Sequence, residues 1–168
     1  MTVALRVVAI AGATGLVWSM AMSRVADQTR LPPAAVVPGA IITQPFGCTS
    51  LLLEPFDPLC PSRHVHTGVD LAAAPGTPVH AATAGVAHVG YDPFGAGLFV
   101  AVDSSGQARI LYCHLFSAAV ISGQQVSVGE VIGAVGSSGL ATGPHVHLEV
   151  QVGGRSVDPV IWLAAGGP

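Results

Sequence analysis

From residue 41 onward, apolar residues occur in short runs that are separated by glycines. The runs include G-V-A-H-V-G, L-F-V-A-V, A-R-I-L-Y-C-H-L and H-V-H-L-E-V-Q-V, and few are long enough to form a helix. Alternation is clearest from His145 to Val150, where the apolar residues fall on one strand face and the two histidines and the glutamate fall on the other. The pattern predicts an all-β domain, a compact antiparallel sheet arranged as a sandwich or barrel with tight glycine turns.

The N-terminus breaks this pattern with an uncharged apolar run over residues 7–22, between Arg6 and Arg24. The run predicts an apolar helix, and residues 1–24 would be either a cleaved signal peptide or a membrane anchor. Small residues at Ser19 and Ala21 offer a candidate cleavage site, and a buried helix is the remaining alternative. Both main interpretations place the rest of the chain outside the cytoplasm, either secreted, in the cell envelope or anchored to the membrane.

Residues 25–39 carry three prolines and no periodicity, which predicts an extended, Pro-rich spacer. The folded domain is then expected over residues 40–163, followed by a C-terminal tail at 164–168. A chain of 168 residues with one such domain is expected to be a monomer.

The charge pattern argues against nucleic acid as a partner. The chain has six arginines, no lysine and nine acidic residues, and its net charge is −3 without a basic stripe. We expect membrane contact only through the N-terminal segment, if that segment is not cleaved.

Export would permit disulfides, and the chain has three cysteines. Cys48 and Cys60 flank one loop and are the natural pair, although two buried thiols are the alternative. Cys113 is left over.

Seven histidines are too many for composition alone to explain in a chain with so few charged residues. On a strand, the side chains of His145 and His147 project about 7 Å apart along one face. Such a pair can bind one metal, or one imidazole can bind while the other handles protons. A partly buried surface pair is the alternative.

A second cluster, R-H-V-H-T-G-V-D, supplies His64, His66 and Asp70. A catalytic zinc typically has three His or carboxylate ligands and a fourth position for water, a requirement that His66, Asp70 and His147 would fill. Asp70 alone could equally be a turn or cap residue.

The run that ends in Y-C-H-L supplies His114. If this run is a strand, His114 lies on the face of Tyr112 and Ile110, while Cys113 points the other way into the core. A histidine at a strand end is often structural.

Three motifs in order, H-T-G-V-D-L-A-A-A-P-G-T-P-V, Y-C-H-L and G-S-S-G-L-A-T-G-P-H-V-H-L-E-V, resemble the lysostaphin/LytM-type zinc metallopeptidase family. The resemblance covers roughly residues 41–163 and implies a β-sheet domain of the duplicated hybrid motif type with a groove across it. It implies one zinc ion held by His66, Asp70 and His147, with His114 and His145 as the catalytic pair. Family members cleave peptide bonds in bacterial cell-wall peptidoglycan.

The resemblance thus implies an exported zinc endopeptidase that acts on peptidoglycan peptides. Zinc would activate a water, one neutral imidazole would take its proton, and the other, protonated, would steady the oxyanion or the leaving amine. Glu149 is expected either to accept a hydrogen bond from an imidazole or to face solvent. The alternative function is a catalytically inactive relative that binds the wall or activates another hydrolase, but all five site positions are filled here.

Some residues depart from the family pattern. Cys113 stands where the family usually has a small residue such as Ala, and is interpreted as a buried small hydrophobe. His64 has the wrong offset from Asp70 and is interpreted as a flanking residue, while His80 and His88 are expected to be structural. The loops over residues 92–97 and 138–143 are expected to decide which peptide bond is cut.

Overall fold

A computed structural model describes residues 30–165 of the chain. The elements follow in chain order as α1 (Pro33–Val36), β1 (Ile41–Gln44), β2 (Gly47–Thr49), β3 (His64–His66), β4 (Val69–Ala72), β5 (Pro78–His80), β6 (Gly85–Asp92), β7 (Gly97–Asp103), β8 (Ala108–Ala118), β9 (Gln125–Val126), β10 (Val131–Val135), β11 (His145–Val152), β12 (Arg155–Val157) and α2 (Pro159–Ala164).

These strands pair antiparallel throughout the described residues, which confirms the predicted mainly antiparallel β fold. The main sheet runs in the order β1-β4-β11-β8-β7-β6-β9. At its margins, β12 pairs with β11, and β10 pairs with both β5 and β8, while β2 and β3 form a separate two-stranded ribbon. Strands β4, β11 and β8 therefore lie side by side in the main sheet.

The core lies on one face of these strands. On β11, Val146, Leu148 and Val150 are fully buried, and their strand neighbours His145 and His147 turn to the other face. Burying each such aliphatic side chain contributes about 1.5 to 3 kcal/mol. The period of two thus divides β11 into a hydrophobic side, which holds the sheet together, and a polar side that is free for chemistry.

Tyr112 on β8 is the largest fully buried side chain of this core. Its hydroxyl accepts a hydrogen bond of 2.7 Å from the backbone N–H of Ala82, so the polar end of the ring is satisfied. Burial raises the pKa of Tyr112, although the bond from Ala82 works in the opposite direction. The phenol therefore stays neutral and has a structural role.

Part of the predicted N-terminal spacer forms a short helix that packs against the core. Pro33 starts the short helix α1, and Val36 and Val37 are fully buried in the core. The Arg30 guanidinium lies 3.3 Å above the ring of Trp162, and its Nη1 donates to the Trp162 carbonyl at 2.7 Å. The expectation of an extended spacer over residues 25–39 therefore fails at residues 33–36, where the chain forms a helix too short to show periodicity, while Pro32 and Val37 on either side are extended.

The C-terminal end is stopped by a short capped helix. The Asp158 carboxylate accepts from the backbone N–H groups of Val160 and Ile161, and Pro159 occupies the first turn of α2. Within residues 30–165, no helix is long and apolar enough to cross a membrane. The predicted leader over residues 1–24 lies outside the described residues.

A disulfide joins Cys48 on β2 to Cys60, with the two Cα atoms 5.4 Å apart. This is the pair that the sequence favours. The bond closes most of the connection between β2 and β3. We call the residues between the two cysteines, 49–59, the disulfide loop. Cys113 is a free, buried thiol on β8.

Candidate active site

Three predicted metal ligands meet on the polar side of the sheet. His66 Nε2 lies 3.1 Å from Asp70 Oδ1 and 2.9 Å from His147 Nδ1, and the last two atoms are 3.1 Å apart. The antiparallel register of β4 and β11 places His147 directly opposite Asp70, while β3 delivers His66 from the ribbon. Two imidazole nitrogens and one carboxylate oxygen converging in this way fit the donor set that zinc prefers.

Contacts at the far side of each ring, a hydrogen bond for His66 and an ion-pair contact for His147, indicate which nitrogen faces the centre. His66 Nδ1 donates to the Pro45 carbonyl at 2.9 Å, so the Nε2 lone pair points inward. For His147 the inward atom is Nδ1, and its Nε2 lies 3.8 Å from Glu149 Oε2. A carboxylate behind a ligating histidine orients the ring and raises its basicity.

Glu149 is held inside the site and does not face solvent. Its carboxylate accepts from Ser156 Oγ at 2.6 Å, from Gln151 Nε2 at 2.8 Å and from Thr67 Oγ1 at 3.1 Å. Burial alone would raise the pKa of Glu149, but the contact with His147 and the hydrogen bonds from Ser156 and Gln151 outweigh burial and lower the pKa to about 2. Glu149 therefore lies beside the imidazole of His147, 3.8 Å from its Nε2, and its role as a hydrogen-bond acceptor for that ring stays a prediction.

The charged groups of this cluster shift one another's pKa values. Burial opposes ionisation of Asp70, but hydrogen bonds with His147 and His66 hold the pKa of its carboxyl well below the usual range. Burial likewise opposes protonation of His147, yet contacts with Asp70 and Glu149 raise its pKa to about 9. Protonated His147 would therefore carry its positive charge between the carboxylates of Asp70 and Glu149.

The two predicted catalytic histidines lie beside this cluster, with ring centroids 4.8 Å apart. His145 Nδ1 donates to the Gly143 carbonyl at 2.8 Å, and His114 Nδ1 donates to the Ser138 carbonyl at 2.8 Å. Both rings therefore keep Nε2 free, and His145 Nε2 lies 3.7 Å from Asp70 Oδ1. Burial lowers the pKa of His114, although the bond to Ser138 works in the opposite direction.

A bulge in β8 brings His114 to this side of the sheet. Its φ is +63°, in the left-handed region that side-chain-bearing residues rarely adopt, and the register between β7 and β8 shifts here. The predicted orientations of His114 and Cys113 are therefore both wrong. Cys113 lies opposite His147 and lines the groove, Tyr112 faces the core, and His114 escapes the core because the bulge breaks the alternation.

Cys113 is nevertheless buried, as the sequence predicts, and only 4% of it is exposed. Burial, with a smaller effect from the negative charges of Glu149 and Asp70, raises the pKa of its thiol to about 12. The side chain thus fills space beside the ligands as a neutral group.

A groove runs over the site. It consists of two adjoining cavities of about 350 and 340 Å³. They share Gln44, Asp70, Thr142 and His145, so Asp70 and His145 lie where the two cavities meet, and His114 and His147 line the first cavity.

The predicted loops line this groove at residues 95–96 and 140–143, and the disulfide loop forms a further wall with Leu51, Leu53 and Glu54. The alternation of apolar and polar residues does not predict this third wall. The sequence signal for it is the pair Cys48 and Cys60, which fixes the loop just before the H-V-H motif.

The other histidines lie outside the cluster. His64 Nδ1 donates to the Glu54 carbonyl at 2.7 Å, and His80 Nδ1 donates to the Gly129 carbonyl at 2.9 Å. His88 Nε2 lies 3.0 Å from Asp103 Oδ2 at the surface. Their structural interpretation agrees with these contacts.

An antiparallel sheet that carries a His-Asp-His cluster and two further histidines in a groove has the construction of a metallopeptidase domain. Comparison with known proteins is more specific, since the family described as peptidase family M23 matches residues 64–159. The chain belongs to this family, whose members are hydrolases acting on peptide bonds, and the resemblance seen in the sequence is confirmed.

Named relatives carry the same domain. DD-carboxypeptidase/endopeptidase Mpg of Neisseria meningitidis is 39% identical over 119 residues, which are 71% of this chain and 26% of Mpg. Peptidoglycan DD-endopeptidase ShyA of Vibrio cholerae is 39% identical over 93 residues, 55% of this chain and 22% of ShyA. The chain thus matches about a quarter of the length of these curated relatives. The catalytic domain of lysostaphin, an antimicrobial peptidase from Staphylococcus simulans, superposes with a TM-score of 0.62 at 28% identity, covering 74% of this chain and 92% of that one.

Proposed function

We propose that the protein is an exported zinc endopeptidase that hydrolyses peptide bonds in bacterial cell-wall peptidoglycan. The observation that carries the proposal is the convergence of His66 Nε2, Asp70 Oδ1 and His147 Nδ1 in a groove that also receives His114 and His145. A relative named as a peptidoglycan DD-endopeptidase supports the substrate class. The apolar run before residue 24 supports export.

His66, Asp70 and His147 would hold one zinc ion, which when bound would lower the pKa of a water and polarise the scissile carbonyl. Three protein ligands of this kind would leave one coordination position for water, as catalytic zinc sites require. Glu149 holds the His147 ring from behind, and the Pro45 carbonyl does the same for His66. The ligands are therefore oriented before substrate binds.

His114 and His145 would perform the proton transfers. His114 is neutral at neutral pH because burial lowers its pKa, so its free Nε2 can take the proton of the attacking water. His145 presents its Nε2 to the same space and would donate a hydrogen bond to the oxyanion or a proton to the leaving amine. The backbone carbonyls of Ser138 and Gly143 keep both rings in this orientation.

The purified protein should contain about one zinc ion per chain and should release new amino groups from peptidoglycan. Metal analysis of the folded protein tests the first part, and amine labelling with mass identification of the products tests the second. Folded protein that takes up no zinc would contradict the proposal. Zinc without any cleavage would favour the inactive, wall-binding alternative.

His145→Ala should keep zinc bound and abolish cleavage, because His145 is a proton-transfer group and not a ligand in this assignment. Loss of such a group lowers rates by about 10² to 10⁴. His88→Ala is the matched control, since His88 pairs with Asp103 at the surface and should retain both zinc and activity. Cleavage by His145→Ala at the wild-type rate would refute the assigned role.

A further inference from the structure

The groove over the site is acidic. Among the described residues that line it there is no arginine, and the whole chain contains no lysine. Its carboxylates are Glu54, Asp70 and Glu149. Asp70 is engaged with His66 and His147, and Glu149 accepts from three side-chain donors. Glu54 is the groove carboxylate that these contacts leave available to a ligand.

Glu54 is held in place at three points. Its backbone carbonyl accepts from His64 Nδ1 at 2.7 Å, its backbone N–H donates to the Leu51 carbonyl, and its Oε1 accepts from Gln44 Nε2 at 3.1 Å. The disulfide between Cys48 and Cys60 closes the loop that carries it. Within the described residues no donor contacts the second oxygen, Oε2. A fixed carboxylate with a free oxygen can bind a cation without much ordering of the protein.

Apolar surface lies next to this carboxylate. Leu51 and Leu53 belong to the same loop and Leu140 to the loop over residues 138–143, and all three line the groove while about half exposed. Exposed leucines in a groove are typical of ligand contact. Apolar walls with a carboxylate beside them match a side chain that has an aliphatic stem and a charged amino end.

The position of Glu54 relates it to the cleavage site. Gln44 on β1 is the strand partner of Asp70, and such pairs have Cβ atoms about 5 Å apart. Glu54 bonds the Gln44 side chain, and Glu54, Asp70 and His147 line the same cavity. A substrate group bound there would belong to a residue near the scissile bond.

We propose that Glu54 determines specificity by binding the primary ammonium group of a diamino acid side chain, near the scissile bond of the peptide, with the aliphatic stem on Leu51 and Leu53. The inference rests on the proposed peptidase function and adds the substrate feature that is recognised. His64 would act as a positioning residue, because its Nδ1 donates to the backbone carbonyl of Glu54.

Matched peptides test this assignment. Purified peptidoglycan peptides that carry one free side-chain amine are compared with the same peptides after acetylation of that amine. Dissociation constants are measured by calorimetry on zinc-loaded His145→Ala, and kcat/KM is measured on the wild-type protein. The amine form should bind about tenfold more tightly, as for one charge-assisted hydrogen bond, and the difference should shrink at high salt.

Glu54→Gln keeps an acceptor for Gln44 but removes the charge, and it should reduce the tenfold preference to about one. Asp103→Asn is the matched control, since Asp103 pairs with His88 and Arg109 outside the groove, and it should keep the preference. Equal binding of both peptides by the unsubstituted groove, or a preference that survives in Glu54→Gln, would overturn the inference.

The two proposals fail in different ways. Cleavage of both peptides with equal kcat/KM would leave the peptidase function standing and remove the role of Glu54. A tenfold binding preference without cleavage of either peptide would support the role of Glu54 and contradict the peptidase function. The comparison of peptides on an unsubstituted groove also stands if Glu54→Gln does not fold.

Discussion

At the scale of single residues, the position of His147 depends on a glycine next to it. A Cβ atom added to Gly68 would lie 2.5 Å from the Leu148 carbonyl and 2.7 Å from His147 Nε2. The backbone oxygen cannot move away cheaply, and the imidazole could yield only by leaving its place between Asp70 and Glu149. Gly68 in the H-T-G-V-D motif is therefore required for the ligand geometry, because no larger residue fits.

Gly68→Ala should destabilise the protein by about 1 to 3 kcal/mol, as overpacked sites do, and should weaken zinc binding by at least about tenfold. Urea unfolding and competition titration with a zinc chelator measure the two effects. Gly143→Ala is the control, because nothing lies within 4 Å of its added Cβ. Wild-type zinc affinity in Gly68→Ala would show that the ring has another place to go.

At the scale of secondary-structure elements, the bulge in β8 is the feature that completes the site. It is held by the neighbouring loops, since the His114 N–H donates to the Ala96 carbonyl at 2.8 Å and His114 Nδ1 donates to the Ser138 carbonyl. The Ser138 hydroxyl accepts from the Leu98 N–H at 2.9 Å and donates to the Leu115 carbonyl at 2.8 Å. The Ser138 side chain therefore links β7 to β8 next to the bulge.

Ser138→Ala removes both hydroxyl bonds but leaves the carbonyl that His114 uses. We expect a loss of about 1 to 2 kcal/mol in the free energy of unfolding and a lower kcat, with zinc content unchanged because no ligand is touched. Ser117→Ala is the control, since Ser117 is exposed on β8, the strand that carries His114. A variant with normal stability and kcat would mean that the bulge is held by its backbone alone.

Strands β11 and β8 show where prediction from sequence succeeds and where it fails. The side of β11 that carries His145, His147 and Glu149 could be predicted because alternation along one strand is local. The orientation of His114 could not, because its bulge depends on Ala96 and Ser138, which are distant in sequence.

The positions of α1 and of the disulfide loop could not be predicted either, because both depend on contacts with residues distant in sequence. The helix α1 is only four residues long, so its burial follows from contacts with the core and not from any period. The disulfide loop has no regular pattern, and its place in the groove wall follows from the pairing of β2 with β3.

At the scale of the whole molecule, one sheet separates a neutral core from a charged site. The polar side gathers His66, Asp70, His147 and Glu149 within hydrogen-bonding or ion-pairing reach, while the opposite face holds the aliphatic cluster. Folding therefore brings together titratable groups that are separate in the unfolded chain. The stability of the metal-free protein must then depend on pH, with a direction that follows from each pKa.

The acidic limit comes from the carboxylates. The folded pKa of Glu149 is lowered to about 2 and that of Asp70 is also lowered, so their stabilisation is present above their unfolded pKa values of about 4. It is lost as pH falls through the folded values. The basic limit comes from His147, whose folded pKa is raised to about 9. Its stabilisation is complete below the unfolded pKa of about 6.5 and is lost as pH rises through 9.

Metal-free protein should therefore lose about 1 to 2 kcal/mol on going from pH 6 to pH 8, because the loss from His147 exceeds the opposite contribution of His114, whose pKa is lowered, and the buried thiol of Cys113 adds its own loss only at higher pH. Urea unfolding after chelation measures this loss, and His147→Gln should remove most of it, because the raised pKa belongs to that ring. If zinc binds as proposed, it would replace the proton of His147, so binding at pH 7.5 should release about one proton and zinc affinity should rise with pH up to about 9. Calorimetry in two buffers with different heats of ionisation counts the proton. A flat stability profile above pH 6.5, or zinc binding without proton release, would show that Asp70 and Glu149 do not hold a proton on His147 in the metal-free protein.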